Sequence, residues 1–129
     1  MVNPSPFPFK SRGGLMRIFR AFIYSLQGLK AAWQHEAAFR QECVLAVILF
    51  PTAFWLGRTP VEVFLLCLCL LLVLVTELIN SAIEALADSL STEHHPLLGR
   101  AKDIGSAAVF LTLCMVIGWW GWVIVDRFF

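Results

Sequence analysis

The sequence predicts an all-α membrane protein, in which an N-terminal amphipathic surface helix precedes three transmembrane helices. Composition is the first reason: of 129 residues, 59% are hydrophobic and only 15% are charged, whereas a soluble domain is nearer half apolar and a quarter charged. The second reason is that three long apolar stretches follow one another along the chain. The third is a preceding segment whose apolar residues recur with the period of a helix.

Residues 1–14 are predicted to be a disordered, proline-rich segment, because Pro4, Pro6 and Pro8 interrupt any regular element there. This segment lacks the apolar core and the small-residue cleavage site of a signal peptide. Residues 15–129 are predicted to form a single membrane domain.

The surface helix is predicted over residues 15–35. Its apolar side chains fall on one face at about 100° per residue, and they are Leu15, Ile18, Phe19, Phe22, Leu26, Leu29 and Trp33. Arg17 and Arg20 fall on the opposite face. This arrangement is typical of a helix that lies in the membrane interface with its cations against anionic headgroups.

Transmembrane helices are predicted over residues 38–57, 61–88 and 104–126. A span needs roughly 20 residues, and only the third charge-free stretch, Ile104–Val125, reaches that length alone. The first two, Cys43–Gly57 and Val63–Thr76, need flanking residues to do so. Aromatic residues near Trp55 and at the C-terminus suit a membrane interface.

Basic residues predict the orientation of these helices. Eight of them fall on one side of the spans and two on the other: Lys10, Arg12, Arg17, Arg20, Lys30, Arg40, Arg100 and Lys102 against Arg58 and Arg127. By the positive-inside rule the N-terminus is cytoplasmic and the C-terminus faces outward.

Several classes of protein are excluded by charge and motif. The formal net charge is only +1, which argues against nucleic acid as a partner. The chain has no Walker A motif and no kinase glycine-rich loop. Four cysteines, with Cys67 and Cys69 two positions apart, match neither a disulfide framework nor a zinc site.

The second span carries a polar stripe formed by Glu77, Asn80, Glu84 and Asp88. At 100° per residue these four positions lie within about 80° of one another. An ionised carboxylate at the bilayer centre costs roughly 2.5–3.5 kcal/mol, so the stripe is expected near the cytoplasmic boundary. There it suits a divalent cation, although polar contacts between packed helices and an ion or proton path remain open alternatives.

Other polar residues are predicted to share this side of the membrane. Glu36 and Glu42 flank the start of the first span, and the loop before the third contributes Glu93, His94, His95, Arg100, Lys102 and Asp103. Mg²⁺ prefers a few carboxylates together with phosphate oxygens, and Arg and Lys hold phosphates. The combination favours a magnesium-dependent phosphate site.

Three blocks of sequence resemble the prokaryotic diacylglycerol kinases. The segment Glu77–Asp88 matches their E-x-x-N-[ST]-A-[IV]-E-x-x-x-D signature, and Ala31–Glu42 and Gly99–Ala108 resemble two further blocks. The resemblance implies a homotrimer in the bacterial inner membrane with active sites shared between protomers. It implies Mg²⁺-dependent transfer of the γ-phosphoryl group of ATP to diacylglycerol, making phosphatidic acid for lipid recycling and phospholipid metabolism.

The resemblance also implies roles for individual residues. Glu77 resembles the general base, Glu36 and Glu84 the ligands of Mg²⁺, and Asn80 a residue that positions the reacting groups. The nucleotide-contact positions are Arg17, Tyr24, Glu36, Glu84, Glu93, His94, His95, Lys102 and Asp103. The lipid-contact positions are Arg17, Ala21, Phe22, Ile23, Tyr24, Ser25, Leu26, Trp33, Glu77 and Ser106.

Two other functions are compatible with the sequence. An undecaprenol kinase shares the type of signature found at Glu77–Asp88, although the block Glu36–Glu42 favours diacylglycerol. A non-catalytic subunit that uses the stripe as an ion path gives no reason for Lys102 and Asp103 beside it.

Overall fold

A computed structural model describes residues 13–129, and over this range the chain forms four α-helices and no strand. They are α1 (Gly14–His35), α2 (Ala37–Leu56), α3 (Pro60–Leu90) and α4 (Pro96–Phe128). The last three are long and apolar enough to cross a membrane. The predicted fold class, one amphipathic helix and three spans, is confirmed. The predicted disordered segment lies outside the described residues, apart from Gly13 and Gly14.

The two longest helices, α3 and α4, each begin with a proline that follows an N-capping residue. Thr59 accepts a hydrogen bond from the backbone N–H of Glu62 at 3.2 Å and precedes Pro60. The Nδ1 atom of His95 accepts from the N–H of Leu97 at 3.3 Å and precedes Pro96. Proline is well suited to the first helical position, because its φ angle is already helical and it has no N–H to satisfy. As a result α4 starts eight residues before its apolar part and carries Arg100, Lys102 and Asp103 on helical turns.

The core lies where α3 packs against α2 and α4. Polar atoms are paired across it: the indole Nε1 of Trp120 donates to the carbonyl of Leu66 at 3.2 Å, and the hydroxyls of Thr76 and Thr112 lie 2.9 Å apart. Because an apolar medium offers no water to satisfy such groups, these bonds join α3 to α4 at two depths. The buried core consists of Ala53, Leu56, Leu66, Cys69, Leu70, Trp120 and Val123.

The α2–α3 turn is fastened to the end of α4. Arg58 forms an ion pair of 3.3 Å with Asp126 and donates to the carbonyls of Asp126 and Arg127. These carbonyls belong to the last turn of α4, where no intrahelical donor remains. The guanidinium of Arg127 lies 5.9 Å from the ring centre of Trp55. The turn at Gly57 is tight, because an added Cβ would lie 2.6 Å from Cγ2 of Val63. Together these contacts fix the end of the bundle opposite the acidic stripe.

Helix α1 is attached mainly through its C-terminal end. Ala32 is its only buried residue, and the apolar face from Leu15 to Trp33 remains exposed. An exposed apolar helix face of this kind is typically buried in the membrane interface.

Candidate active site

The polar stripe of α3 runs from a buried end to an exposed end. Glu77 and Asn80 are 6% and 8% exposed, Glu84 is half-buried and Asp88 is exposed. The rise of an α-helix separates Glu77 from Glu84 by about 10.5 Å along the axis. The stripe therefore reaches from the packed interior of the bundle to the surface at one end.

Two further carboxylates, Glu36 and Glu42, lie near this stripe. The charges that act most strongly on Glu77 are those of Glu84 on its own helix and Glu36 at the α1–α2 junction. Glu77 in turn acts on Glu42, whose Oε2 atom is buried without a hydrogen-bond partner among the described residues. Residues 41 positions apart in sequence, Glu36 and Glu77, are thus brought to one place by the fold.

Glu36 owes its position to the bend between two helices. It is the single residue between α1 and α2, with an extended backbone at φ −108° and ψ 110°. Arg40, one turn into α2, donates through Nη1 to the carbonyls of Trp33 at 2.9 Å and Gln34 at 3.3 Å. These are carbonyls of the last turn of α1, which lack intrahelical donors. Arg40 therefore closes the bend that presents Glu36.

Substitution of Arg40 is expected to impair the site through Glu36. In Arg40→Ala the α1 carbonyls lose their donor and the bend loosens. With Glu36 as the Mg²⁺ ligand that the resemblance implies, the Mg²⁺ concentration for half-maximal activity should then rise about tenfold, as for residues that orient a ligand. Arg40→Lys should recover only part of this, since an ammonium is not the planar fork of a guanidinium. Gln41→Ala, the exposed neighbour, is the control. An unchanged Mg²⁺ titration in Arg40→Ala would refute the positioning role.

Asn80 is held between α3 and α4. Its Nδ2 atom donates to Oε1 of Glu84 at 3.3 Å. On the other side its Oδ1 atom lies so close to Gly105 that an added Cβ there would be 2.5 Å away. Only glycine leaves room for this approach, so Gly105 sets the rotamer from which Asn80 reaches Glu84.

The substitution Gly105→Ala is expected to disturb both the packing and the site. Overpacking of a well-filled contact typically costs about 1–3 kcal/mol, and the displaced amide would no longer reach Glu84. We expect a lower unfolding temperature in detergent and reduced activity. Gly121→Ala is the matched control on α4, because a Cβ there meets no atom within 4 Å. Equal behaviour of the two variants would contradict the packing argument.

A groove separates α1 from α3 and is called here the α1–α3 groove. It has a volume of about 640 Å³. Small or apolar side chains form most of its walls, and Glu36 and His35 stand at one part of it. Its lining residues are Ser25, Gly28, Leu29, Ala31, Ala32, His35, Glu36, Leu78, Ser81, Ala82 and Ala85.

A second cavity, called here the polar cleft, lies between the end of α3 and the start of α4. Its volume is about 700 Å³. It brings together Glu93, His94, His95, Lys102 and Asp103, all predicted as nucleotide contacts. Within it the ammonium of Lys102 forms a 3.0 Å ion pair with Asp88. Asp88, the exposed end of the stripe, also lines this cleft. On α3 the groove is lined instead by Leu78, Ser81, Ala82 and Ala85, next to the stripe.

Other predicted site residues line neither cavity, and these include Glu77, Asn80 and Glu84 of the stripe. Arg17, Ala21, Phe22, Tyr24, Leu26 and Trp33 are exposed on α1, Ile23 is half-buried there, and Ser106 is exposed on α4. Of the predicted lipid contacts, only Ser25 lines the α1–α3 groove. Arg40, Gly105 and Ser81 were not predicted; their roles depend on contacts between elements.

The carboxylates at this site would supply only some of the ligands of a Mg²⁺ ion. Among residues 13–129, no group of three His, Cys, Asp or Glu side chains is arranged to enclose a metal ion. Glu36 and Glu84 nevertheless both lie near enough to Glu77 for their charges to act on it. Because Mg²⁺ is commonly held by one or two carboxylates plus substrate phosphates, these residues fit a metal that arrives with a nucleotide.

Fold and site together define a small helical membrane protein with a group of carboxylates at one end of its helices, near an apolar groove and a polar cleft. The family model for prokaryotic diacylglycerol kinase matches residues 23–124. The chain belongs to this family and is an enzyme of the kinase class, which confirms the resemblance seen in the sequence.

Curated relatives match over most of their length. The chain is similar to the diacylglycerol kinase of Haemophilus influenzae, with 50% identity over 86% of this chain and 94% of the relative. It is 48% identical to the diacylglycerol kinase of Pseudomonas aeruginosa over 94% of this chain and 98% of the relative. For the diacylglycerol kinase of Escherichia coli K12 the identity is 45%, over 83% and 88%.

Proposed function

We propose that this chain transfers the γ-phosphoryl group of ATP to the free hydroxyl of diacylglycerol, with Mg²⁺, and releases phosphatidic acid and ADP. We place the reaction at the cytoplasmic face of the bacterial inner membrane. The observation that carries this proposal is the position of Glu77, a buried carboxylate. It adjoins Leu78 in the wall of the apolar groove, and its stripe ends at Asp88 in the polar cleft.

The two cavities match two substrates of opposite character. A groove walled by small and apolar side chains suits the glycerol region of a lipid. A cleft lined by His94, His95 and Lys102 suits the phosphates of a nucleotide. Phosphate would compete with Asp88 for Lys102, whose present ion pair is exposed and therefore weak.

The chemistry assigned to this chain is one proton transfer and one displacement. The carboxylate of Glu77 accepts the proton of the lipid hydroxyl as that oxygen bonds to the γ-phosphorus. The bond from the γ-phosphorus to the β–γ bridging oxygen breaks, and ADP leaves. Glu36 and Glu84 would hold the Mg²⁺ that neutralises charge on the phosphates when bound, and Asn80 orients Glu84.

We further propose that the working unit is a homotrimer with shared sites. Arg17 and Tyr24 are exposed on α1 and line neither cavity of their own chain. In a trimer, Arg17 and Tyr24 would contact the polar cleft of a neighbouring protomer and complete its site.

The test is purified protein in mixed micelles with γ-labelled ATP, Mg²⁺ and one lipid at a time. Label in phosphatidic acid supports the proposal. Label in undecaprenyl phosphate with none in phosphatidic acid would assign the chain to the polyprenol substrate. Ion flux in liposomes without ATP turnover would overturn the enzymatic assignment.

A further inference from the structure

The α1–α3 groove contains a hydroxyl that the mechanism above leaves unused. Ser81 on α3 is 8% exposed and lines the groove. Its Oγ atom is buried and has no hydrogen-bond partner among residues 13–129. It lies one helical turn, about 6 Å, from Glu77 toward Glu84.

Ser81 is a buried helical hydroxyl without an intrahelical bond, whereas the unbonded hydroxyl of Ser106 on α4 is exposed. Hydroxyls in helices usually donate to the carbonyl four residues earlier. Ser25 donates to Ala21 at 2.9 Å, Thr52 to Ile48 at 2.8 Å and Thr76 to Leu72 at 3.0 Å. Ser81 makes no such bond to Glu77. A buried donor left unpaired is costly, so an acceptor from a ligand would be favourable there.

The side chains that line the groove indicate what kind of hydrogen-bond acceptor Ser81 would meet. Apart from Glu36 and His35, its walls are small or apolar and carry no cation to balance a phosphate. The cationic side chain of Lys102 lies in the polar cleft instead. A neutral carbonyl oxygen attached to apolar chains suits these surroundings. In a diacylglycerol the nearest ester oxygen follows the free hydroxyl within a few bonds, so side chains one turn apart reach both groups.

We propose that the Ser81 hydroxyl donates a hydrogen bond to an ester carbonyl of the acylglycerol bound in the groove. This inference rests on the proposed function, because it assumes that the lipid hydroxyl is at Glu77. A polyprenol has no ester oxygen and gains nothing from Ser81.

The test compares two lipid alcohols that differ only at this acceptor. One is a diacylglycerol and the other the matching dialkylglycerol, in which ether linkages replace both esters. Ser81→Ala should lower kcat/KM for the diacylglycerol by up to about tenfold, the ordinary effect of one lost hydrogen bond. The kcat/KM of Ser81→Ala for the dialkylglycerol and its KM for ATP should equal those of the wild type. Ser81→Thr keeps the hydroxyl and should retain the preference of the wild type.

The control is Ser89→Ala near the end of the same helix, where the exposed hydroxyl donates to Leu86. It should behave as the wild type with both lipids. If Ser81→Ala does not elute as a folded species, Ser81→Cys provides the same comparison. Cysteine keeps the side-chain volume but is a weaker hydrogen-bond donor.

Two results would overturn the inference. Equal losses on both lipids would make Ser81 a structural residue or a contact of the phosphoryl group, and no loss on either would leave it without a lipid contact. Both results presuppose a wild-type enzyme that phosphorylates at least one of the two lipids. A wild type that phosphorylates neither lipid would instead refute the proposed function.

Discussion

Glu77→Gln is expected to abolish lipid phosphorylation while leaving the fold intact. Glutamine keeps the shape of the side chain but cannot accept the proton of the lipid hydroxyl. Loss of a positioned general base typically lowers the rate by roughly 10²- to 10⁴-fold. Because Glu77 is 6% exposed and close to two other carboxylates, removal of its charge relieves repulsion and should not destabilise the bundle.

The measurement is kcat with saturating diacylglycerol and MgATP, together with the unfolding temperature in the same detergent. Glu62→Gln is the matched control, an acid in the first turn of the same helix at the opposite end of the bundle. It should retain activity. Substantial turnover by folded Glu77→Gln would show that another group accepts the proton.

Glu36→Gln and Glu84→Gln are expected to change the dependence on Mg²⁺ more than the fold. Each removes one of the two carboxylates assigned to the metal, so the Mg²⁺ concentration for half-maximal activity should rise by at least about tenfold. Part of the rate should return at high Mg²⁺. This separates the two variants from Glu77→Gln, which no metal concentration restores.

The measurement is activity at fixed ATP over a Mg²⁺ titration, with Mn²⁺ binding followed by its electron spin resonance signal. Asp126→Asn is the control, since this acid pairs with Arg58 away from the stripe. Wild-type Mg²⁺ dependence in either glutamate variant would mean that its ligand role is wrong.

The helices were predictable because membrane spans and amphipathic faces are local patterns. Apolar length alone predicted the third span, and apolar length together with flanking residues predicted the first two. The period of Leu15–Trp33 predicted the surface helix. The extension of α4 to Pro96 was less evident, because Arg100, Lys102 and Asp103 end an apolar stretch without ending a helix. The cap at His95 and the proline after it are the local signals for that start.

The site was only partly accessible from the sequence. Helical spacing alone places Glu77, Asn80 and Glu84 on one face, since the distances between them are set within one helix. The convergence of Glu36 on that face depends on a bend closed by Arg40. Likewise, nothing local distinguishes Ser81 from a serine bonded to its own helix, or Gly105 from the other glycines of α4. These roles arise only when α1 and α4 pack against α3.

The central claim, direct transfer with Glu77 as base, is tested most directly by the stereochemistry at phosphorus. Carboxylates also act as nucleophiles that form acyl phosphates, so loss of activity in Glu77→Gln does not by itself distinguish the two roles. ATP made chiral at the γ-phosphorus with oxygen isotopes should give phosphatidic acid with inverted configuration, because a single in-line displacement inverts it. Retention of configuration would indicate a phosphorylated enzyme intermediate and would contradict the account.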